Sequence, residues 1–378
     1  MKVITKRFLI EILLSSFFVL IALISLFAFF DLVGQLDDVG RNRTILEALL
    51  LTSLTLPGRV YEVMPLAALL AGIYTMSRWA SNSEYTILRV AGLSPLRFAS
   101  MLLIPGVILV LLTYFFGEVV SPPAQRYALE VKTLATKQDA ITPRGFDSGV
   151  WLRDVALNGN DPVTRYINVK YVRADNRHET GPWQLFEYDA QGALHRQITA
   201  DSATYVADRG WVLNNVVRIT YPEISRDESS RPLGQVVRDV LPELTFKSNL
   251  GPNIFGVLTT RPDEMAMLDL GRYIDHLKKN HQVTDQLEIT FWQKAFYPLA
   301  TFVMLALAMP FAYMNARTGG VALRIFMGVM IGIVFYVMNN VFAFLGVLTT
   351  WSPIVMSLIP TVFMLIIAAL ALWWVERR

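Results

Sequence analysis

Six apolar runs, three on each side of a long polar stretch, constrain this chain of 378 residues more than any other feature. Each run has about the 18 or more residues that a bilayer core demands of a helix. The polar stretch extends from about Ser121 to about Asp285, enough for one compact domain with its own core. Only 17% of residues are charged, against roughly a quarter in soluble domains, and the deficit is concentrated in the runs. The fold class read from this is a membrane α-helical protein with six transmembrane helices and an inserted domain. The boundaries expected are 1–120, 121–285 and 286–378.

Lys2, Lys6 and Arg7 precede the first run, Phe8 to Phe30. It is too long for a signal peptide and has no small-residue cleavage site, so it is read as an uncleaved span with Glu11 one turn inside. Asp31, Asp37, Asp38, Arg41 and Arg43 follow it. Ile45 to Leu56 is too short to cross, and Pro57–Gly58 interrupts it. Two readings stay open: an interfacial helix before a span from Pro57 to Met76, or one long helix kinked at Pro57. Arg78 to Arg97 is polar. There Ser81 and Glu84 look like the cap and third-position partner of a capping box, and Gly92 a stop before Ser94–Pro95, which predicts a short helix over about 81–92. The third span should run from about Leu96 to Val120, ending at Gly117–Glu118, with Pro122–Pro123 preventing its continuation. Spans four to six are placed at Ile289–Met309, Ile325–Leu348 and Ile354–Trp374, with Trp292, Trp351, Trp373 and Trp374 at span ends as in aromatic belts.

Within the polar stretch, Ile167, Val169 and Tyr171 alternate with Tyr166, Asn168 and Lys170. Trp211, Leu213, Val217, Ile219 and Tyr221 share a second period-two face. Such runs are strands with one buried side. Turn residues at Asn158–Asn160, Gln191–Gly192 and Asp208–Gly210 separate them, and Ser225–Gly234 is read as a loop. The expected insert is therefore all-β, an antiparallel sandwich or curved sheet of jellyroll kind. A helix with Leu268, Tyr273, Ile274 and Leu277 on its apolar face should begin near Arg261–Glu264 and lead back to the membrane.

Orientation follows from Lys and Arg in the short connections. The N-terminus holds Lys2, Lys6 and Arg7; the loop after span two Arg78, Arg89 and Arg97; the loop after span four Arg317 and Arg324; the C-terminus Arg377 and Arg378. Six spans put all four segments on one side, while the short connection opposite offers Arg41 and Arg43 against three Asp. The positive-inside rule then places both termini in the cytoplasm and the insert outside. The net charge of +3 is assigned to this asymmetry, so no nucleic acid is expected as a partner.

The chain has no cysteine, and of its four His only His276 and His281 are close, so no metal site is expected. No Walker A loop, G-x-S-x-G, H-E-x-x-H or Rossmann fingerprint occurs, no cofactor is implied, and the chain is not read as an enzyme. Few ionisable residues fall inside spans, which argues against an ion-coupled carrier. Arg59, Glu62, Glu118 and Lys294 cluster toward the outer ends. They are either interfacial snorkels or the cationic rim of a cavity for anionic lipid groups.

The segment S-E-Y-T-I-L-R-V-A-G-L-S-P from Ser83 to Pro95 resembles the coupling helix of the LptF/LptG permease family of lipopolysaccharide-export ABC transporters. So do G-E-V-V-S-P from Gly117, R-Y-I-D-H-L-K from Arg272, W-Q-K-A-F-Y-P-L from Trp292 and the stretch from Arg324 to Tyr336. The segments from Arg272 and Trp292 look closer to G-type members than to F-type. The resemblance implies a heterodimer with an F-type permease, two copies of the cytoplasmic ATPase LptB, and an external β-jellyroll feeding lipopolysaccharide to LptC and a periplasmic bridge. It places Glu84, Tyr85, Leu88, Arg89 and Gly92 in the ATPase-coupling helix. Asp31, Asp37 and Asp38 stand where some relatives are basic, which leaves Arg41, Arg43, Arg59 and Lys294, with Phe27 and Phe30, as candidates for lipid contact. The alternatives are an F-type permease, or a membrane-anchored β scaffold that transports nothing.

Overall fold

The structure is a computed structural model. It describes residues 2–37, 39–40, 44–135, 140–141, 149–158, 161–173, 178–189, 192–207, 209–224, 232–233, 235–246, 261–279, 284–313, 320–349 and 351–376. The chain divides into two compact units, the first Met1–Ala128, Asp263–Gly271 and Thr284–Arg378, the second Leu129–Pro262 and Arg272–Val283.

The first unit contains six helices long and apolar enough to cross a membrane. Helix α1 (Lys2–Leu36) packs along α2 (Ile45–Ser81). The open question at Pro57 is resolved for one helix: α2 runs unbroken through Pro57 and Pro65. A capping box forms at the start of α2, not at Ser81–Glu84 where the sequence suggests one. The Thr44 hydroxyl accepts from the Glu47 N–H and the Glu47 carboxylate accepts from the Thr44 N–H. Ser81 still belongs to α2, and α3 (Glu84–Val90) starts after Ser83, whose left-handed φ of 59° turns the chain without a side-chain cap. Gly92 ends α3 with φ 94°, a conformation only glycine takes freely.

Ser94 then caps α4 (Pro95–Met101), with Pro95 in the first helical turn. The third span follows as α5 (Leu103–Tyr114), one wider π-helical turn over Phe115–Val120, and α6 (Ser121–Ala135). Pro122–Pro123 does not stop it. The π turn precedes the prolines, so they occupy the first turn of α6, where a missing N–H costs little. Helices α7 (Met267–Lys279), α8 (Asp285–Leu307), α9 (Val321–Leu348) and α10 (Pro353–Glu376) complete the set. On α7 the buried residues are Leu270, Ile274 and Leu277, whereas Leu268 is exposed. The buried face thus follows 270, 274, 277, the spacing of one helical stripe.

Helix α2 is the axis of the bundle, buried along most of its length and touching α1, α8, α9 and the π turn. Small residues allow close approach where hydrocarbon supplies no hydrophobic drive. Gly106 of α5 lies under the Phe302 ring and Gly117 under the Tyr61 ring, with no room for a Cβ at either. Pro298 in α8 leaves the Lys294 carbonyl without its helical donor, and the Tyr61 hydroxyl donates to it at 3.4 Å.

In the second unit the strands are β1 (Ala140–Ile141), β2 (Val150–Asn158), β3 (Asp161–Val169), β4 (Val172–Arg173), β5 (Glu179–Thr180), β6 (Trp183–Tyr188), β7 (Leu194–Ala200), β8 (Ser202–Val206), β9 (Gly210–Thr220) and β12 (Val237–Phe246). The short pair β10 (Glu223–Ile224) and β11 (Pro232–Leu233) stands apart. All pairings are antiparallel, and each strand pairs with its neighbour in the meander. β9 joins β12 along its whole length on one edge and divides its other edge between β8 and β7. The same division recurs outward, β5 with β8 and β4, β6 with β7 and β3. The meander is therefore a row of long strands creased in the middle, a half-barrel.

The crease passes Gly149 (φ 90°), the Gly181–Pro182 break, Asp201 and Asn215, whose φ of 54° turns β9. It shifts the alternation: Trp211 and Leu213 are buried before it and Val216 after it, rather than Val217. Residues of both arms form one core. Trp183 and Trp211 meet at 5.2 Å, and the Trp183 indole N–H donates to the Thr180 hydroxyl at 2.6 Å. Most of Ser225–Gly234 and the expected turn residues Gly159, Asn160, Gln191 and Asp208 lie outside the described residues.

Candidate functional site

The singled-out residues gather at two ends of the helical bundle. Arg59 lies 22 residues before Ser81 on α2, about 33 Å of helix at 1.5 Å per residue.

At the α3 end the helix is seven residues long, too short to hold itself in water. Aromatic packing holds it instead. Tyr85, 4% exposed, meets Phe98 and Tyr313 at 4.8 Å each, and Phe8 joins Phe98 at 5.4 Å and Trp79 at 4.7 Å. Leu88 also packs on this core. Arg89 reaches over the Tyr313 ring at 5.8 Å. The Arg7 guanidinium donates to Glu84 at 3.1 Å and to Glu11 at 2.9 Å, and the other Glu11 oxygen accepts from the Trp79 indole at 2.6 Å. The five expected coupling residues therefore have different tasks. Tyr85 and Leu88 anchor, Gly92 terminates, Glu84 and Arg89 are ends of contacts with the bundle. Ile87 and Val90, 65% and 85% exposed, form the outward face. Sequence reasoning passes over them because apolar side chains read as core even in a polar segment; their i, i+3 spacing opposite Tyr85 is the available signal.

At the other end Arg59 is clasped. It donates to both Asp31 oxygens, at 2.7 and 2.9 Å, and to Glu62 at 2.8 Å, while its guanidinium stacks 5.6 Å from the Phe27 ring centre. Phe30 is exposed. Lys294 is buried rather than on a rim. Its ammonium donates to the Met265 and Asp263 carbonyls and lies 3.5 Å from Glu118. Glu118 in turn accepts from the Met267 N–H at 2.5 Å, and Arg126 pairs with Asp269. Lys294 thus ties residues 263–267 to the third and fourth spans, and the lipid contact expected of it has no open donor face here. Arg41 and Arg43 lie outside the described residues, as does His281. Among the described residues no cluster of His, Asp and Glu could hold a metal ion.

A bundle of six spanning helices, an inserted antiparallel half-barrel and a short anchored helix between the second and third spans are now in view. The profile of one family, described as lipopolysaccharide export system permease LptF/LptG, matches residues 7–375. The chain belongs to the LptF/LptG family. It is a permease of lipopolysaccharide export and a multi-pass protein of the inner membrane. Among its relatives, the lipopolysaccharide export system permease protein LptG of Haemophilus influenzae is 28% identical over 370 residues, 97% of this chain and 96% of that one. LptG of Escherichia coli strain K12 is 26% identical over 360 residues, 95% and 94% of the two chains. These G-type LptF/LptG relatives agree with the character of the segments from Arg272 and Trp292.

Proposed function

We propose that this chain is the G-type half of an ATP-driven exporter, paired with an F-type permease and served by two copies of LptB. The pair takes lipopolysaccharide from the outer leaflet of the inner membrane and hands it to a bridge that begins with LptC. Both termini and α3 face the cytoplasm, and the half-barrel faces the periplasm. This chain contributes no ATP hydrolysis of its own; LptB supplies it.

The observation that carries this reading is α3 itself. A seven-residue helix bolted by Tyr85 to the bundle, with Ile87 and Val90 turned outward, is built to receive force from outside and pass it to the spans. Its neighbour across the ion pair is Arg7 of α1, so a push on α3 reaches the first span directly. Helices α1 and α9 are the least covered spans of the single chain, exposing Phe17, Phe18, Phe30, Phe326, Ile333 and Tyr336. Their apolar faces suit a second permease and the acyl chains between them: each CH₂ kept from water is worth roughly 0.8 kcal/mol. Arg59 is the phosphate contact retained from the sequence, and it must give up Asp31 or Glu62 to serve.

The test is pull-down of LptB with the assembled permease pair. Val90→Asp and Glu84→Arg should cut recovered LptB about tenfold, the effect of ~1.4 kcal/mol, while insertion stays intact. Wild-type recovery from both variants removes α3 as the docking element. For the lipid step, Asp31→Asn should raise photocrosslinking of lipopolysaccharide near Arg59, and Arg59→Gln should lower it. No change in either overturns Arg59 as a phosphate contact.

A further inference from the structure

At the α3 end of the bundle, α4, α5, α8 and α10 leave a groove of about 350 Å³ open to the side. Ala99, Phe302, Ala306, Leu365, Ala368 and Leu372 line it. Phe302 can lie flat there because Gly106 offers no Cβ beneath it. The one hydroxyl in the wall, that of Ser100, donates to the Arg97 carbonyl at 2.7 Å, so the surface is apolar. We propose that this groove binds one acyl chain of an anionic glycerophospholipid, with the headgroup phosphate at Arg97.

Three arguments fix the occupant. Most of the groove's wall belongs to spanning helices, so its surroundings are largely hydrocarbon, and an apolar void of this size offers water no partner. Its length, Leu365 to Leu372 on α10, is about 10 Å at 1.5 Å per residue. A chain of methylenes suits an apolar slot of that length that opens to the side. The headgroup level is marked from two sides. Trp373 and Trp374 follow Leu372 directly, as interfacial residues do, and Arg97 stands on α4 one turn before Ser100, on the same face. Arg97 is exposed, and among the described residues no carboxylate pairs with it. A planar guanidinium at that place suits a phosphate, and a net negative headgroup is preferred because no acidic side chain competes. That the lipid is a glycerophospholipid rather than lipopolysaccharide rests on the orientation proposed above, which puts this end in the cytoplasmic leaflet.

The experiment uses the complete permease pair in nanodiscs doped with phosphatidylglycerol that carries a diazirine near the middle of one chain. Crosslinks are mapped by peptide mass spectrometry. Crosslinks should concentrate on residues 302–309 and 365–372, and phosphatidylcholine with the same probe should label these peptides much less. Ala306→Phe fills the groove and displaces two or more methylenes, each about fourfold in partitioning, so labelling there should fall by at least about fifteenfold while labelling at Phe17 and Phe18 of α1 stays constant. Arg97→Gln should erase the preference for phosphatidylglycerol. Should Ala306→Phe fail to assemble, Ala369→Leu replaces it with the same expectation. Equal labelling by the two lipids, or labelling unaffected by filling the groove, leaves only annular lipid and overturns the site. Unlabelled lipopolysaccharide should not compete. If it does, the groove belongs to the export route and the leaflet assignment fails, even though an acyl site stands.

Discussion

Lys294 illustrates how an ionisable side chain near a span end acquires its task from its neighbours. By position it reads as a cation at the rim of a cavity, yet two carbonyls and Glu118 enclose it. A buried ammonium that loses its partners costs more than the pair contributes, because the charge left behind is not solvated. Glu118→Gln should therefore destabilise the detergent-solubilised protein by about 2–4 kcal/mol, and Lys294→Met by less, since the Glu118 carboxylate it leaves behind keeps some exposure. In the double variant the costs should fall short of additive, as for side chains in contact. Strict additivity in thermal unfolding would show that the two side chains do not depend on each other. His276, on the part of α7 in the second unit, is a second case. Burial pushes its imidazole below the ordinary value of 6.5, with Asp154 acting in the opposite sense. The folded state then binds fewer protons than the unfolded chain, so stability rises with pH and is lost as pH falls through about 6.5 toward the lower folded value. His276→Gln should flatten the unfolding midpoint between pH 8 and pH 5 relative to wild type; an identical slope sinks the assignment.

Among the elements, α3 is the one whose structure depends most on what it touches. Seven residues make too few helical bonds to offset nucleation, so the Tyr85 ring between Phe98 and Tyr313 decides whether the helix forms. Tyr85→Ala should cost about 3–5 kcal/mol locally and detach the helix from the spans. Under the proposed function, LptB would still bind the exposed Ile87–Val90 face weakly, but ATP hydrolysis would no longer drive lipopolysaccharide release. The readout is the ratio of lipid released to phosphate produced, and a wild-type ratio would show that force does not pass through Tyr85. Gly92→Ala places a Cβ on a left-handed residue at a cost of about 1–2 kcal/mol, and should lengthen or loosen the end of α3 without touching the bundle. The existence of this helix was readable from Gly92 and Ser94–Pro95. Its start was not, since Ser83 turns through φ 59° where a serine cap at Ser81 was the simpler inference.

For the whole molecule, the proposed orientation is testable because the chain contains no cysteine. Ala207→Cys in the half-barrel should react in intact cells with a thiol reagent that crosses the outer but not the inner membrane. Val90→Cys should react only after the inner membrane is opened. The reverse pattern inverts the orientation and removes the proposed handover to the periplasm. Both residues are exposed, so the outcome reports topology and not burial.

Length and hydropathy alone determined the six spans and the polar insert, because a bilayer admits few solutions to an apolar run of that size. Period-two alternation likewise announced strands at Ile167–Val169 and Trp211–Leu213, since one buried face imposes it. Tertiary contacts decided the rest. The crease at Asn215 moved burial from Val217 to Val216, and a π turn carried the third span through Pro122–Pro123. Four helices from distant parts of the chain leave the groove beneath Arg97. Local propensity cannot encode such outcomes, because each depends on side chains that meet only after the chain has folded.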